Sequence, residues 1–388
     1  MRKARIKRAA RVLAGILLTG LLGGCWDYRG LNELTLVAGM SIDIDEDTGL
    51  LQLNFEVIDL TIPIEQEAMK TFLLQSEGEN IFDAIRDAKR KISNKLYFGE
   101  TNLVIISKEV VETHGVFSVV EWFLRDNETR ENMYIAMAQT EKAKDILNLK
   151  LRENSIVSYD LSEIIKEDSK DTASTMKSEI YEVYNTLKQE GISLVLPALA
   201  GQKKNDDRIV PAVNGVIVFR DGKIVGELTP EETKFFLYAT NHVEGGLLSF
   251  SSSGSGKKDV VLEIEKNKTK RSFECNDGAI TVRIETETEA YVGEVMREAD
   301  LLEQETYKAF KAAAEEELKT EIEKVVKKVQ KEYKTDIFGF GRMIRKKDLG
   351  LWKEIGKDWD EIFPEAEIEV SCKISLLNTA HIKNTKKE

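Results

Sequence analysis

The sequence predicts an α+β protein of two regions, with mixed and antiparallel sheets covered by helices and one long helix in the C-terminal region. Three observations carry this prediction. Strand-like and helix-like patterns alternate as far as about residue 200, the order expected of sheets covered by helices. Beyond that point the pattern changes to hairpins and alternating strands. An apolar stripe then runs from Tyr307 to Tyr333 at spacings of three and four, the period of one helix face.

The first 24 residues are expected to lie outside the fold. Arg2, Lys3, Arg5, Lys7, Arg8 and Arg11 precede an apolar run, Val12 to Leu22. The run is shorter than the roughly 20 residues a membrane-spanning helix needs. A basic front and a short apolar core predict a signal peptide over residues 1–24. It ends Leu22-Gly23-Gly24-Cys25, an aliphatic residue and two small ones before a cysteine. Diacylglycerol transfer needs a thiol and the peptidase needs small residues at the cut, so Cys25 is expected to be the lipid-bearing first residue of the mature chain. Removing the six basic residues leaves 50 Lys and Arg against 68 Asp and Glu, a formal charge of −18. An acidic body lacks the clustered cations that non-specific nucleic-acid binding needs. It equally disfavours docking on anionic lipid through the protein surface alone.

The first region is expected over 25–200, with room for two domains. Leu34 to Asp59 reads as a hairpin, with Leu34, Leu36, Ile42 and Ile44 before the turn and Leu51, Leu53, Phe55 and Val57 after it. The turn Asp45-Glu46-Asp47-Thr48-Gly49 opens like a calcium loop, but Thr48 and Asn54 stand where Gly and Glu are required, which leaves a solvated turn. Asn80 is placed to cap a helix through Ile81, Ile85, Ala88 and Ile92. Strands at 103–106 and 133–138 and helices at 109–124, 142–148 and within 172–189 follow.

Residues 201–212 begin with the polar run Gly201 to Arg208, and they are expected to link this region to a C-terminal domain over 213–383. There a hairpin, Val213 to Leu228, turns at Asp221-Gly222, and Thr229-Pro230-Glu231-Glu232 opens a helix. Strands are expected at 260–265, 271–275, 279–285 and 368–376. The long helix, 300–334, is expected to cover a sheet rather than to form a dimer seam, with Glu315–Lys319 and Glu323–Lys327 pairs on its wet face. A second helix, 349–363, carries Trp352, Ile355, Trp359 and Phe363 on one side.

The search for chemistry returns little. His114, His242 and His381 are scattered and no metal-ligand spacing occurs. No nucleophile or phosphate-loop motif is present, and Gly339-Phe340-Gly341 is only a fragment of a dinucleotide signature. No catalytic residue, cofactor or metal site is therefore expected; the lipidation site Cys25 is the one site residue assigned. Cys275 and Cys372 are expected in strands as small buried residues, with a disulfide between adjacent strands as the alternative.

Two stretches resemble a known family. Cys25-Trp26-Asp27-Tyr28-Arg29-Gly30-Leu31-Asn32-Glu33-Leu34, followed by Gly39 and Ile42-Asp43, is similar to the opening of the Ger(x)C family, lipoprotein C-subunits of spore nutrient germinant receptors. Thr335-Asp336-Ile337-Phe338-Gly339-Phe340-Gly341 resembles that family's D-x-F-G-F-G segment, and Phe98-Gly99-Glu100 partly matches its Leu-Gly-His. The residues alone predict that Gly339 and Gly341 end the long helix and turn Phe338 and Phe340 into the core. The resemblance implies a non-enzymatic α+β lipoprotein of three compact domains. It further implies assembly with membrane A and B subunits at the spore inner membrane, anchored on its outer face. A solute-binding lipoprotein of a transporter is the alternative, and a surface hydrolase a more distant one. Whether the body binds a small molecule is left open.

Overall fold

The computed structural model describes residues 33–59, 70–152, 154–205, 207–252, 257–296 and 303–377. Cys25, Trp26 and His381 lie outside them.

The N-terminal part is built on a nine-stranded sheet. Strands β1 (Leu34–Ile44), β2 (Leu51–Asp59) and β3 (Lys70–Gly78) form an antiparallel flank. Strands β5 (Leu103–Ile106), β6 (Tyr134–Ala138) and β7 (Val195–Lys203) continue from β1 in parallel. Strands β8 (Ile209–Arg220) and β9 (Lys223–Leu228) add a second antiparallel flank, and β4 (Lys95–Tyr97) pairs with the start of β1. The central strands are buried on both faces, which is why 103–106 reads as an unbroken apolar run. Val104 and Ile106 face one core, with helices α1 (Ile81–Ala88), α2 (Lys108–Arg125) and α5 (Ile180–Lys188). Leu103 and Ile105 face another, with α3 (Lys144–Asn148) and α4 (Val157–Asp171).

Two buried strand acids hold helices α3 and α4. Asp43 accepts the N–H groups of Ala143 at 2.6 Å and Lys144 at 3.0 Å. Glu56 accepts those of Val157 and Ser158 at 2.9 Å, and the Ser158 hydroxyl at 2.6 Å. These N–H groups belong to first helical turns and have no partner within their own helix, so each acid satisfies donors that burial would otherwise orphan. Asp45, by contrast, makes the exposed turn, accepting from Asp47 and Thr48 through one oxygen. The Asn80 cap forms as expected, accepting from Asp83 N at 3.0 Å.

The C-terminal part has a four-stranded sheet in the order β10 (Leu247–Phe250), β11 (Val260–Asn276), β12 (Ala279–Val295) and β13 (Glu367–Leu377). Helix α6 (Pro230–Thr240) starts with a full capping box between Thr229 and Glu232. The long helix α7 (Gln304–Lys328) continues into a π turn at Val329–Tyr333. Its stripe of Phe310, Ala314, Leu318, Ile322, Val325 and Val329 is buried against this sheet and α6, so it covers a sheet, as its period predicts.

Four of the expectations for these sheets and their helices need correction. Residues 201–212 are not a linker: Gly201 pairs with Pro211 and Lys203 with Ile209, so the segment is the tip of the β7–β8 hairpin. Its polarity reflects exposure at that tip. The two strands expected at 260–265 and 271–275 are one, β11, whose charged middle follows a bulge between Ile264 and Lys266. The i,i+4 pairs of α7 are instead Lys311–Glu315 and Lys319–Glu323, beside an i,i+3 pair Lys324–Glu321, and Glu315 also reaches the free edge of β13, accepting from Ile374 N at 2.9 Å. Cys275 and Cys372 are free thiols, and Cys275 is exposed rather than buried. They lie opposite Ile280 and Thr286 of β12, too far apart along that strand for a bridge.

Candidate functional site: the joint between the two sheets

The two parts share material. On β8, Ile217 and Phe219 face the N-terminal core while Val216 and Val218 face the C-terminal one. The resembling segment 335–341 lies at this joint, with Ile337, Phe338 and Phe340 in the same core as Val216 and Val218. After the π turn, Lys334 adopts a left-handed conformation with φ 51° and stops the helix. Asp336 then enters the interior at 2% exposure. One carboxylate oxygen accepts Gly339 N at 2.8 Å; the other accepts Gly341 N at 2.8 Å and Trp359 Nε1 at 3.1 Å. Burial pushes this carboxyl up to about 6, against the lowering by those three N–H groups and by the Arg271 guanidinium.

The glycines do not end the long helix; they begin the next one, α8 (Phe340–Lys347), with Gly339 at φ 72° as its N-cap. Left-handed backbone at this point suits glycine, which has no Cβ to strain. The turn does carry Phe338 and Phe340 into the core, where their rings stack 5.2 Å apart, as expected. The second expected helix is broken, into α9 (Leu349–Ile355), a 3-10 turn at Gly356–Asp358, and α10 (Trp359–Ile362). That break lets Trp359 reach Asp336 while Trp352 donates to Glu190 at 2.8 Å.

The same segment is bonded to the N-terminal part. Ser193 N donates to the Asp336 carbonyl at 2.7 Å, the Ser193 and Thr335 hydroxyls meet at 2.6 Å, and Arg342 N donates to the Gly191 carbonyl at 2.7 Å. Gly191 and Gly341 touch backbone to backbone: a Cβ on Gly341 would stand 2.8 Å from Gly191 Cα and 2.6 Å from Trp359 Nε1. Glycine is required here by close approach, independently of its conformational freedom.

A cavity of about 250 Å³ opens beside this joint. Lys177, His242, Arg271 and Arg342 line it, with Val183 and Phe338 among its apolar walls. Arg271 donates to the Phe338 carbonyl, and Arg342 to Gln189 Oε1 at 3.3 Å. Arg271 and Arg342 also border a second, outer cavity of about 570 Å³ with Arg345, Lys346 and Lys347. These side chains come from distant strands, helices and loops, so no local spacing could have announced them. The histidines are not brought together: His114 is exposed on α2, whereas His242 lines the inner cavity. Among the described residues no group of three His, Cys, Asp or Glu could hold a metal ion, and no helix is long and apolar enough to cross a membrane.

Residues 27–200 match the family model described as "Spore germination protein N-terminal domain", and residues 214–380 match "Spore germination B3/ GerAC like, C-terminal". The chain belongs to the Ger(x)C family of spore germination proteins. Among its Ger(x)C relatives, spore germination protein KC of Bacillus subtilis (strain 168) is 24% identical over 395 residues, covering 96% of each chain. Spore germination protein A3 of the same organism is 26% identical over 370 residues, covering 92% of this chain and 95% of that one. The crystal structure of the GerBC protein superposes with a TM-score of 0.54 at 20% identity, over 88% of this chain and 97% of that chain. That likeness extends the Ger(x)C fold over both sheets described above.

Proposed function

We propose that this chain is the lipid-anchored, non-enzymatic C-subunit of a spore nutrient germinant receptor. In this reading it is tethered through Cys25 to the outer face of the spore inner membrane and assembles with membrane A and B subunits. The observation that carries the reading is the pair of germination-family matches across 27–200 and 214–380, placed directly behind the Leu22-Gly23-Gly24-Cys25 sequence. Acyl chains on one sulfur would hold an acidic body beside its partners, and confinement raises the effective concentration for assembly. The two parts have unlike sheets, one parallel at its centre and one built on a long antiparallel hairpin, which disfavours the two similar lobes of a transporter's solute-binding lipoprotein.

The test is Cys25→Ala. The variant is expected to leave the membrane fraction, and its spores to lose nutrient-triggered germination while still responding to chemical triggers. A variant that stays membrane-bound and germinates normally on nutrients would sink the reading.

A further inference from the structure

The inner cavity combines features that an unoccupied crevice in an acidic protein has no structural need to combine. Lys177, Arg271 and Arg342 converge on it, with Glu182 as the acidic residue of its lining. Among the described residues neither guanidinium forms an ion pair; each makes one neutral hydrogen bond, to the Phe338 carbonyl and to the Gln189 amide oxygen. Lys177 stands 3.8 Å from the Glu244 carboxylate. A guanidinium offers five donors; among the described residues part-buried Arg271 gives one to the Phe338 carbonyl, while exposed Arg342 gives one to Gln189. Thr186 and Ser193 also line the cavity, together with apolar Val183, Ile192, Phe236 and Phe338.

The cations also perturb one another. His242 is held below the usual histidine range by burial and then by Arg271 and Arg342, opposed by Glu244. Arg271 is itself lowered by burial and by Arg342, with Asp336 opposing. Like charges gathered in one crevice raise the free energy of the empty site and relax when a counter-charge enters.

We propose that this cavity binds a small organic oxyanion, its carboxylate or phosphate group held by Arg271, Arg342 and Lys177 and its body against the Val183–Phe338 wall. At roughly 30 Å³ per water-sized group, the volume of about 250 Å³ admits a molecule of about eight heavy atoms. A second basic cavity shares Arg271 and Arg342 with this one. Because the site joins Met176–Val195 to Arg271 and Ile337–Arg342, an occupant would touch both halves of the chain at once. The inference rests on no part of the receptor reading.

Full-length protein in detergent micelles is titrated with inorganic phosphate and, separately, with propionate, by calorimetry. Saturable heat from either probe is expected, and which probe gives it assigns phosphate or carboxylate as the recognised group. Arg342→Gln, an exposed position, should weaken binding at least about tenfold with an unchanged melting temperature. Lys177→Gln provides the same comparison should the first variant unfold. The His242 imidazole, followed by NMR, should titrate at higher pH when the probe is bound. Absence of saturable heat from both probes up to about 10 mM, or equal binding by wild type and both folded variants, overturns the proposal. Either result is read in solution and leaves the Cys25→Ala test untouched.

Discussion

The indole N–H of Trp359 donates to Asp336 Oδ2 over 3.1 Å, and so ties the last short helix to the residue that follows the long one. The same oxygen accepts Gly341 N, so one buried acid fixes three chain segments.

Asp336→Asn should therefore be costly, since an amide nitrogen in place of Oδ2 would confront two donors. The expected loss is about 2 kcal/mol or more at neutral pH, measured by urea unfolding. The pH dependence carries a sign. Folding raises this carboxyl from its ordinary 3.8 to about 6, so the folded chain binds the proton more tightly than the unfolded one. The linked stabilisation is complete below about pH 4 and is lost as pH rises through about 6. The gap between wild type and variant should widen as pH falls across that window. A gap that stays constant would refute the assignment.

Gly39→Ala tests the N-terminal counterpart. An added Cβ would stand 2.0 Å from Ser158 Oγ and 2.9 Å from the Leu103 carbonyl. It would drive Ser158 off Glu56 and disturb the start of α4. A loss of about 2–3 kcal/mol is expected from this overpacking. The double variant Gly39→Ala/Ser158→Gly should be more stable than Gly39→Ala alone, a non-additivity that unfolding curves of all four proteins would reveal.

The two free thiols should differ sharply in reactivity. Burial, then Glu315 and Glu323, push the Cys372 thiol up to about 12, so almost no thiolate is present near neutrality. Cys275 is exposed at the end of β11. In the Cys25→Ala protein, iodoacetamide should label Cys275 alone until denaturant is added. Peptide mass spectrometry showing native labelling of Cys372 would contradict this packing.

Much of the scaffold is readable from residue order because its elements carry strong periods. The β1–β2 hairpin alternates, β5 is continuously apolar, and the α7 stripe keeps helical spacing over its whole length. Helix α4 carries no clear period in the sequence because Val157, Leu161 and Ile165 are diluted by serines and acids, and its first N–H groups, of Val157 and Ser158, are satisfied by Glu56 of β2. Strand β3 was missed because it is an edge, with exposed Phe72 and mixed polarity in place of alternation. At the joint, segment 335–341 stood out by resemblance, but Gly191, Ser193 and Trp359 complete it through tertiary contacts that no local pattern encodes. The cavity was invisible for the same reason.

Strand β13 lies parallel to β12 along its full length, from Thr281 opposite Glu367 to Tyr291 opposite Leu377. Parallel neighbours need a crossover, here supplied by α7 through α10, so the closing strand follows β12 in the chain only after that whole stretch of helices. Until then β12 has a bare flank, and the apolar stripe of α7 lacks part of the surface it will cover. A chain cut before Glu367 therefore carries an open β edge for its whole lifetime.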